Sequence, residues 1–192
     1  MAHLYEAAPT GRSKCRGCGR PIAKDDVRFG ESMPSSFGEG EMTLWFHPLC
    51  AAYKRPEAML ESLGDAPEAE RATLERVAQA GTAQSRVPRV DGAERAASSQ
   101  AKCRCCRQPI PKGSWRIRLV FFEDGRFMPG GFIHLVCRGS YFEGQDVEER
   151  TLRFSGDLSD EDRDDLKRAW RSEPLRAEPC EPSTEAGTQT AG

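Results

Sequence analysis

Apolar residues recur along this chain in two periodicities, and each periodicity occurs twice. In DVRFGES (26–32), Val27 and Phe29 alternate with polar neighbours, and SWRIRLVFF (114–122) carries a stronger version through Ile117, Val120 and Phe121. A period of two predicts strands. Each strand runs into a glycine-containing loop, FGEGE (37–41) or EDGRFMPGG (123–131), and then into a second short run, MTLWFH (42–47) or FIH (132–134). Two hairpins are the expected result. The helical period follows each hairpin. Leu74, Val77 and Ala78 share one face behind an N-terminal signal at Asp65-Ala66-Pro67-Glu68, and Leu166, Ala169 and Trp170 share another behind Ser159-Asp160-Glu161-Asp162.

Between and beyond these units the pattern stops. Residues 81–99 show neither period and read as a flexible linker, while 173–192, rich in Pro, Glu and Thr, read as a disordered tail. The expected organisation is one module over 5–80, a linker, a second module over 100–172 and the tail. Of the 192 residues only 38% are hydrophobic and 30% are charged. That composition is thin for a large apolar core, so each module needs some other staple.

The cysteines and histidines supply one. Cys15-x2-Cys18 is followed after 28 residues by His47-x2-Cys50, and Cys103-x2-Cys106 after 27 residues by His134-x2-Cys137. Three thiolates and one imidazole make a closed tetrahedral zinc set, so two structural zinc ions per chain are expected. A redox CxxC pair is the competing reading of either knuckle; the matched HxxC in both copies favours the metal. The repeat reaches past the ligands. SKCRGCGRPIAKDDVR (13–28) lies over AKCRCCRQPIPKGSWR (101–116), a constant offset of 88 residues that pairs Arg28 with Arg116 and Cys105 with Gly17. Cys105 and Cys180 are therefore expected to be bystanders.

The formal net charge is −2, which taken alone argues against nucleic acid. By segment it does not. Residues 11–56 carry 8 basic and 5 acidic side chains and 101–141 carry 8 and 2, whereas 142–192 carry 7 and 14. Basic residues crowd both knuckles, including Arg12, Arg16 and Arg104, and suit phosphate oxygens. Phe37 and Met42 in the first loop, and Phe127 and Met128 in the second, are apolar tips suited to stacking on a base pair.

Taken together, the ligand frame, the LYEAAPTGRSKC run before the first knuckle and the aromatic pair in TLWFH resemble the poly(ADP-ribose) polymerase-type zinc finger, also found in a nick-sensing DNA ligase. The resemblance implies small α+β zinc-stapled modules, two in tandem, that recognise DNA strand breaks, nicks or ends by shape. By position it makes Arg12 and Arg28 phosphate contacts and Phe37 and Met42 stacking residues. In the second copy Arg116 matches, Gln100 replaces Arg12, and Trp45-Phe46 becomes Phe132-Ile133. It also implies an intracellular, DNA-associated protein, nuclear in a eukaryote and nucleoid-bound in a bacterium.

No P-loop, GxSxG or adenylation-type lysine motif occurs, so an enzyme is not expected. Nor is a membrane span or a secretory leader, since no run of ~18 apolar residues exists and MAHLYEAAPTGR lacks an apolar segment. The alternative function is an adaptor whose fingers are scaffolds and whose acidic 142–192 region docks a protein partner.

Overall fold

The structure is a computed structural model and describes residues 3–35, 39–84, 86, 88–142, 146–176 and 180. Strand β1 (Leu4–Ala7) pairs antiparallel with β2 (Val27–Pro34), and β2 with β3 (Glu41–Phe46), giving a three-stranded sheet in the order β1-β2-β3. The strand forms as expected, but its alternation does not carry through: Phe29 is fully buried, Val27 two residues before it is exposed, and the polar neighbours Arg28, Glu31 and Ser32 are buried as well. Helices α1 (Pro48–Lys54), α2 (Pro56–Glu61) and α3 (Glu68–Ala83) follow. Pro48 and Pro56 begin α1 and α2, where a missing N–H costs nothing. The expected α3 face, Leu74, Val77 and Ala78, is buried. Its start differs from expectation: Asp65 ends a 3-10 turn, Leu63–Asp65, and the α3 N-cap is Pro67 with no side-chain cap.

The second sheet repeats the first, with β4 (Arg89–Arg95), β5 (Trp115–Glu123) and β6 (Arg126–His134) in the order β4-β5-β6. After a 3-10 turn at Leu135–Cys137 come α4 (Arg138–Tyr141), α5 (Val147–Arg153) and α6 (Asp160–Ser172). Ser159 caps α6 as read from the sequence, accepting from the Asp162 N–H at 3.1 Å.

Two expectations about connecting segments are corrected. Residues 89–95, read as linker, are β4, paired with β5 through Val90↔Leu119 and Ala93↔Ile117. Its period is interrupted by a bulge between Val90 and Ala93, which hid the strand. Gly92 sits in that bulge at φ +93°, where a Cβ would also collide with the Phe154 carbonyl, so a side chain there is excluded twice over. Residues 123–131, read as a loop, are mostly β6. Asp124 and Gly125 both have positive φ (48° and 76°), closing a two-residue hairpin with Glu123 opposite Arg126. Phe127 and Met128 are therefore strand residues.

The third correction is the largest: the modules are not joined flexibly but share one core. At the junction Phe46 meets Phe127 edge-on at 6.3 Å and Tyr53 meets Phe154 at 6.1 Å. Arg55 stacks on Phe122 at 3.7 Å while its guanidinium holds the buried Glu31. At the centre is Lys54, wholly buried, ion-paired to Asp91 of β4 and lying over the rings of Phe154 (4.4 Å) and Phe127 (5.1 Å). Burial pushes its ammonium below the ordinary lysine value, with Asp91 pulling it back.

This arrangement gives a test of the packing. Asp91→Ala leaves a buried cation uncompensated and is expected to cost on the order of 3 kcal/mol. Lys54→Met removes the charge along with its need for a partner and is expected to cost clearly less. Denaturant unfolding of the zinc-loaded variants measures both. Equal losses, or a separate transition for each module in the parent protein, would overturn the shared core.

Candidate metal centres and nucleic-acid interface

Each knuckle is folded by the same backbone bonds. The Cys15 N–H donates to the Arg20 carbonyl at 2.9 Å and the Gly19 N–H to the Cys15 carbonyl at 2.8 Å; the Cys103 N–H donates to the Gln108 carbonyl at 2.9 Å and the Arg107 N–H to that of Cys103 at 2.9 Å. The last turn residue is left-handed in both, Gly19 at φ 72° and Arg107 at φ 59°. The hairpins then deliver the histidines, as the spacing predicts. The Arg16 N–H donates to the Trp45 carbonyl and the Arg104 N–H to that of Phe132, both at 2.8 Å, which ties each knuckle to the strand leading into its histidine.

The ligand atoms of Cys15, Cys18, His47 and Cys50 all lie within 4.8 Å of one another, as do those of Cys103, Cys106, His134 and Cys137. Ligands about 2.3 Å from a tetrahedral zinc sit about 3.8 Å apart, so the donor sets fit the ion. Surrounding groups orient them. The His47 Nδ1 faces Cys18 Sγ at 3.4 Å, and the His134 Nδ1 faces Cys106 Sγ at 3.3 Å. The His134 Nε2 lies 3.1 Å from the Pro109 carbonyl, which holds the ring and leaves Nδ1 to the metal. Backbone N–H groups of His47 and His134 donate to the Cys15 and Cys103 sulfurs at 3.3 Å. The chain thus has two Cys3His sites for structural zinc.

The charge of these sulfurs must be balanced. In the metal-free state protons do it: hydrogen bonding to Cys15 and Cys18 lifts the His47 ring to about 10, and Cys103 lifts that of His134 to about 9. Hydrogen bonding from Cys137 draws the Cys103 thiol down to about 3.

Cys105 is not a bystander. It is fully buried and forms a disulfide with Cys180, their Cα atoms 4.5 Å apart. The chain reaches it by packing back over the second site: the Arg176 N–H donates to the Val136 carbonyl at 2.8 Å and Leu175 lies against Gly139. Residues 173–176, read as disordered tail, are therefore ordered. The thiol pairing spans 75 residues and had no signal in the repeat.

The candidate DNA contacts differ widely in exposure. Arg12 and Arg16 are exposed beside the first knuckle. Arg28 and Arg116 are buried. Arg28 is paired to Glu6, donates to Ser13 Oγ at 2.6 Å and stacks on Trp45 at 3.6 Å. Arg116 is paired to Glu94 and stacks on Phe132 at 3.6 Å. Glu6 and Glu94 obey the 88-residue offset, a signal the sequence offered for both partners. Arg104 is half-buried and donates to the Gly130 carbonyl at 3.1 Å. Phe127 is packed into the module junction, whereas Met128 is 40% exposed. Phe37 lies outside the described residues.

Met42 lines a cleft of about 400 Å³ together with Ser13, Lys14, Arg16, Trp45 and Arg126. Lys14 and Trp45 come from the first module. Arg126 comes from the hairpin tip of the second, where the neighbouring Gly125 abuts Met42. Among the described residues the lining carries cations and apolar surface and no carboxylate. Sequence reasoning missed Arg126 because only the packing of the modules brings it there.

Residues 6–79 match the "Poly(ADP-ribose) polymerase and DNA-Ligase Zn-finger region" family. Among curated proteins the chain is similar to a poly [ADP-ribose] polymerase of Drosophila melanogaster, 29% identical over 71% of this chain, and to poly [ADP-ribose] polymerase 1 of Oryza sativa subsp. japonica, 30% identical over 68%. It spans 16% and 14% of those relatives. Among the described residues no helix is long and apolar enough to cross a membrane.

The metal assignment predicts proton release. Zinc must displace the protons held by His47 and His134, so apparent affinity should rise with pH across the neutral range. Competition against a chromophoric chelator at several pH values measures this, and pH-independent affinity contradicts it. Native mass spectrometry should find two zinc ions per chain, and one after His47→Ala.

Proposed function

On the premise that the chain belongs to the poly(ADP-ribose) polymerase-type zinc-finger family, with two such modules packed as one body, we propose that it is a non-catalytic DNA-binding protein that prefers nicks, breaks or ends. The observation that carries this reading is the cationic and apolar cleft beside the first knuckle. Lys14, Arg16 and Arg126 offer charge to phosphate oxygens, which hold a duplex without reading its sequence. Met42 and the Trp45 edge offer apolar surface that intact, stacked DNA cannot use and an interrupted stack can.

In this reading Arg28 acts from behind the cleft. Its guanidinium fixes Ser13 and the Trp45 ring, both of which line the cleft, and Glu6 holds it in place. Arg12 and Arg16 are the solvent-facing contacts. The first module then supplies most of the grip, because Phe127 and Arg116 of the second are occupied within the protein.

Fluorescence anisotropy of the zinc-loaded protein on nicked, blunt-ended and intact duplexes across a salt series tests this. Tighter binding to the nicked duplex is expected, and equal affinity at matched salt removes break recognition while leaving DNA binding. Arg16→Ala should weaken binding to every duplex and lower the salt slope by about 0.9. Met42→Ala should instead narrow the gap between nicked and intact DNA. A stable protein partner without any DNA shift would favour the adaptor.

A further inference from the structure

A second cavity, of about 350 Å³, shares no lining residue with the first. It is bounded by Arg20, at the end of the first knuckle, and by Glu149, Leu152, Arg153 and Arg163 of α5 and α6. Among the described residues, three guanidiniums therefore face one space with a single carboxylate, that of Glu149, which is mostly exposed and 3.9 Å from Arg153.

The three are held in different ways. Arg163 is fixed, donating to the Leu152 carbonyl at 3.0 Å and the Ser155 carbonyl at 2.9 Å. The stem of Arg20 packs 3.7 Å from the position a Cβ on Gly156 would take, which sets the first module's knuckle against the turn between α5 and α6. Arg153 has its Nε buried without a hydrogen-bond partner. A buried donor left unmade is costly, and like charges converging on one space repel. Arg20 is already answered in part by its hydrogen bond to the Cys18 sulfur, but an anion with several oxygens entering the space would relieve the remaining repulsion, and planar guanidinium forks match phosphate geometry best.

We propose that this cavity is a phosphate-class anion site that exists only because the two modules are packed together. Resting on the DNA-binding reading above, its occupant is a backbone phosphate of the bound strand, held by Arg20 from the first module and Arg153 and Arg163 from the second. The alternative source of the same chemistry is free orthophosphate. The second module thus contributes to binding through its helices, not only through its hairpin.

The test uses the full, zinc-loaded chain and the variants Arg153→Gln and Arg20→Gln, each checked for zinc content and thermal unfolding. Arg163 is left intact because its bonds to Leu152 and Ser155 brace α5. Orthophosphate is titrated while the arginine Nε–Hε resonances are followed by NMR, and nicked-duplex affinity is measured across a salt series. A saturable shift of the Arg153 resonance, absent in Arg153→Gln, together with a salt slope lower by about 0.9 in each variant, is expected. Orthophosphate binding with unchanged slopes would keep the anion site and overturn the DNA backbone as its source. If the parent chain binds no duplex at all, the proposed function fails and the orthophosphate titration alone decides the site. No saturable shift and no change in slope overturns the proposal.

Discussion

Three thiolates and an imidazole within 4.8 Å of one another set the terms for each half of this protein. Such a cluster repels itself unless protons or a cation balance its charge, and a dication does so with four bonds at once. The local structure is arranged around that requirement. The knuckle turns place two sulfurs, the third strand of each sheet leads to the histidine, and the last cysteine follows three residues on, as the chain turns into helix. The peptide N–H of each histidine also donates to the first cysteine sulfur, so the backbone closes on the ligands as well as carrying them.

Metal alone does not explain how the two halves stand to each other. That follows from residues that have no use for zinc. The hairpin tip of the second module, closed by Asp124-Gly125, extends far enough for Phe122 and Phe127 to reach Arg55, Lys54 and Phe46. Lys54 is acceptable in that position only because Asp91 lies on β4, a strand in the segment between the modules. The connecting chain thus supplies both an edge strand of the second sheet and the counter-ion of the junction.

The legible and illegible parts of the sequence divide along this line. The ligands, the strands through Phe29 and Ile117, and the helix faces at Leu74 and Leu166 were readable because each depends on spacing within a few residues or on a doubled motif. β4 was not, because its bulge at Gly92 breaks the alternation and its pairing with β5 is long-range. Phe127 and Met128 were read together as tips, yet neighbouring strand residues face opposite sides, so one is packed at the junction and the other exposed. Arg28 was read as a phosphate contact and Arg116 as its match in the second copy. Their burial follows from Glu6 and Glu94 on the paired edge strands, whose match was visible in the offset but not in either local sequence. The disulfide to Cys180 depends on the path of the tail over the second site, which no periodicity records.

The charge pattern gains a physical meaning from the same packing. The second module has the larger basic excess, but much of it is answered inside the protein. Arg118 meets Asp157 at 2.9 Å and lowers that carboxyl below its usual range; Arg95 pairs with Asp165, which also accepts from the Trp115 indole at 2.8 Å. The acidic helix α6 is therefore partly a counter-charge for the second sheet. Around the first knuckle Arg12, Lys14 and Arg16 remain exposed. A chain of net charge −2 can accordingly present a cationic face, because its acids are used where the basic excess is greatest. Under the proposed function this asymmetry favours DNA docking on the first module, with the second fixed beside it to complete the clefts through Arg126 and through α5 and α6.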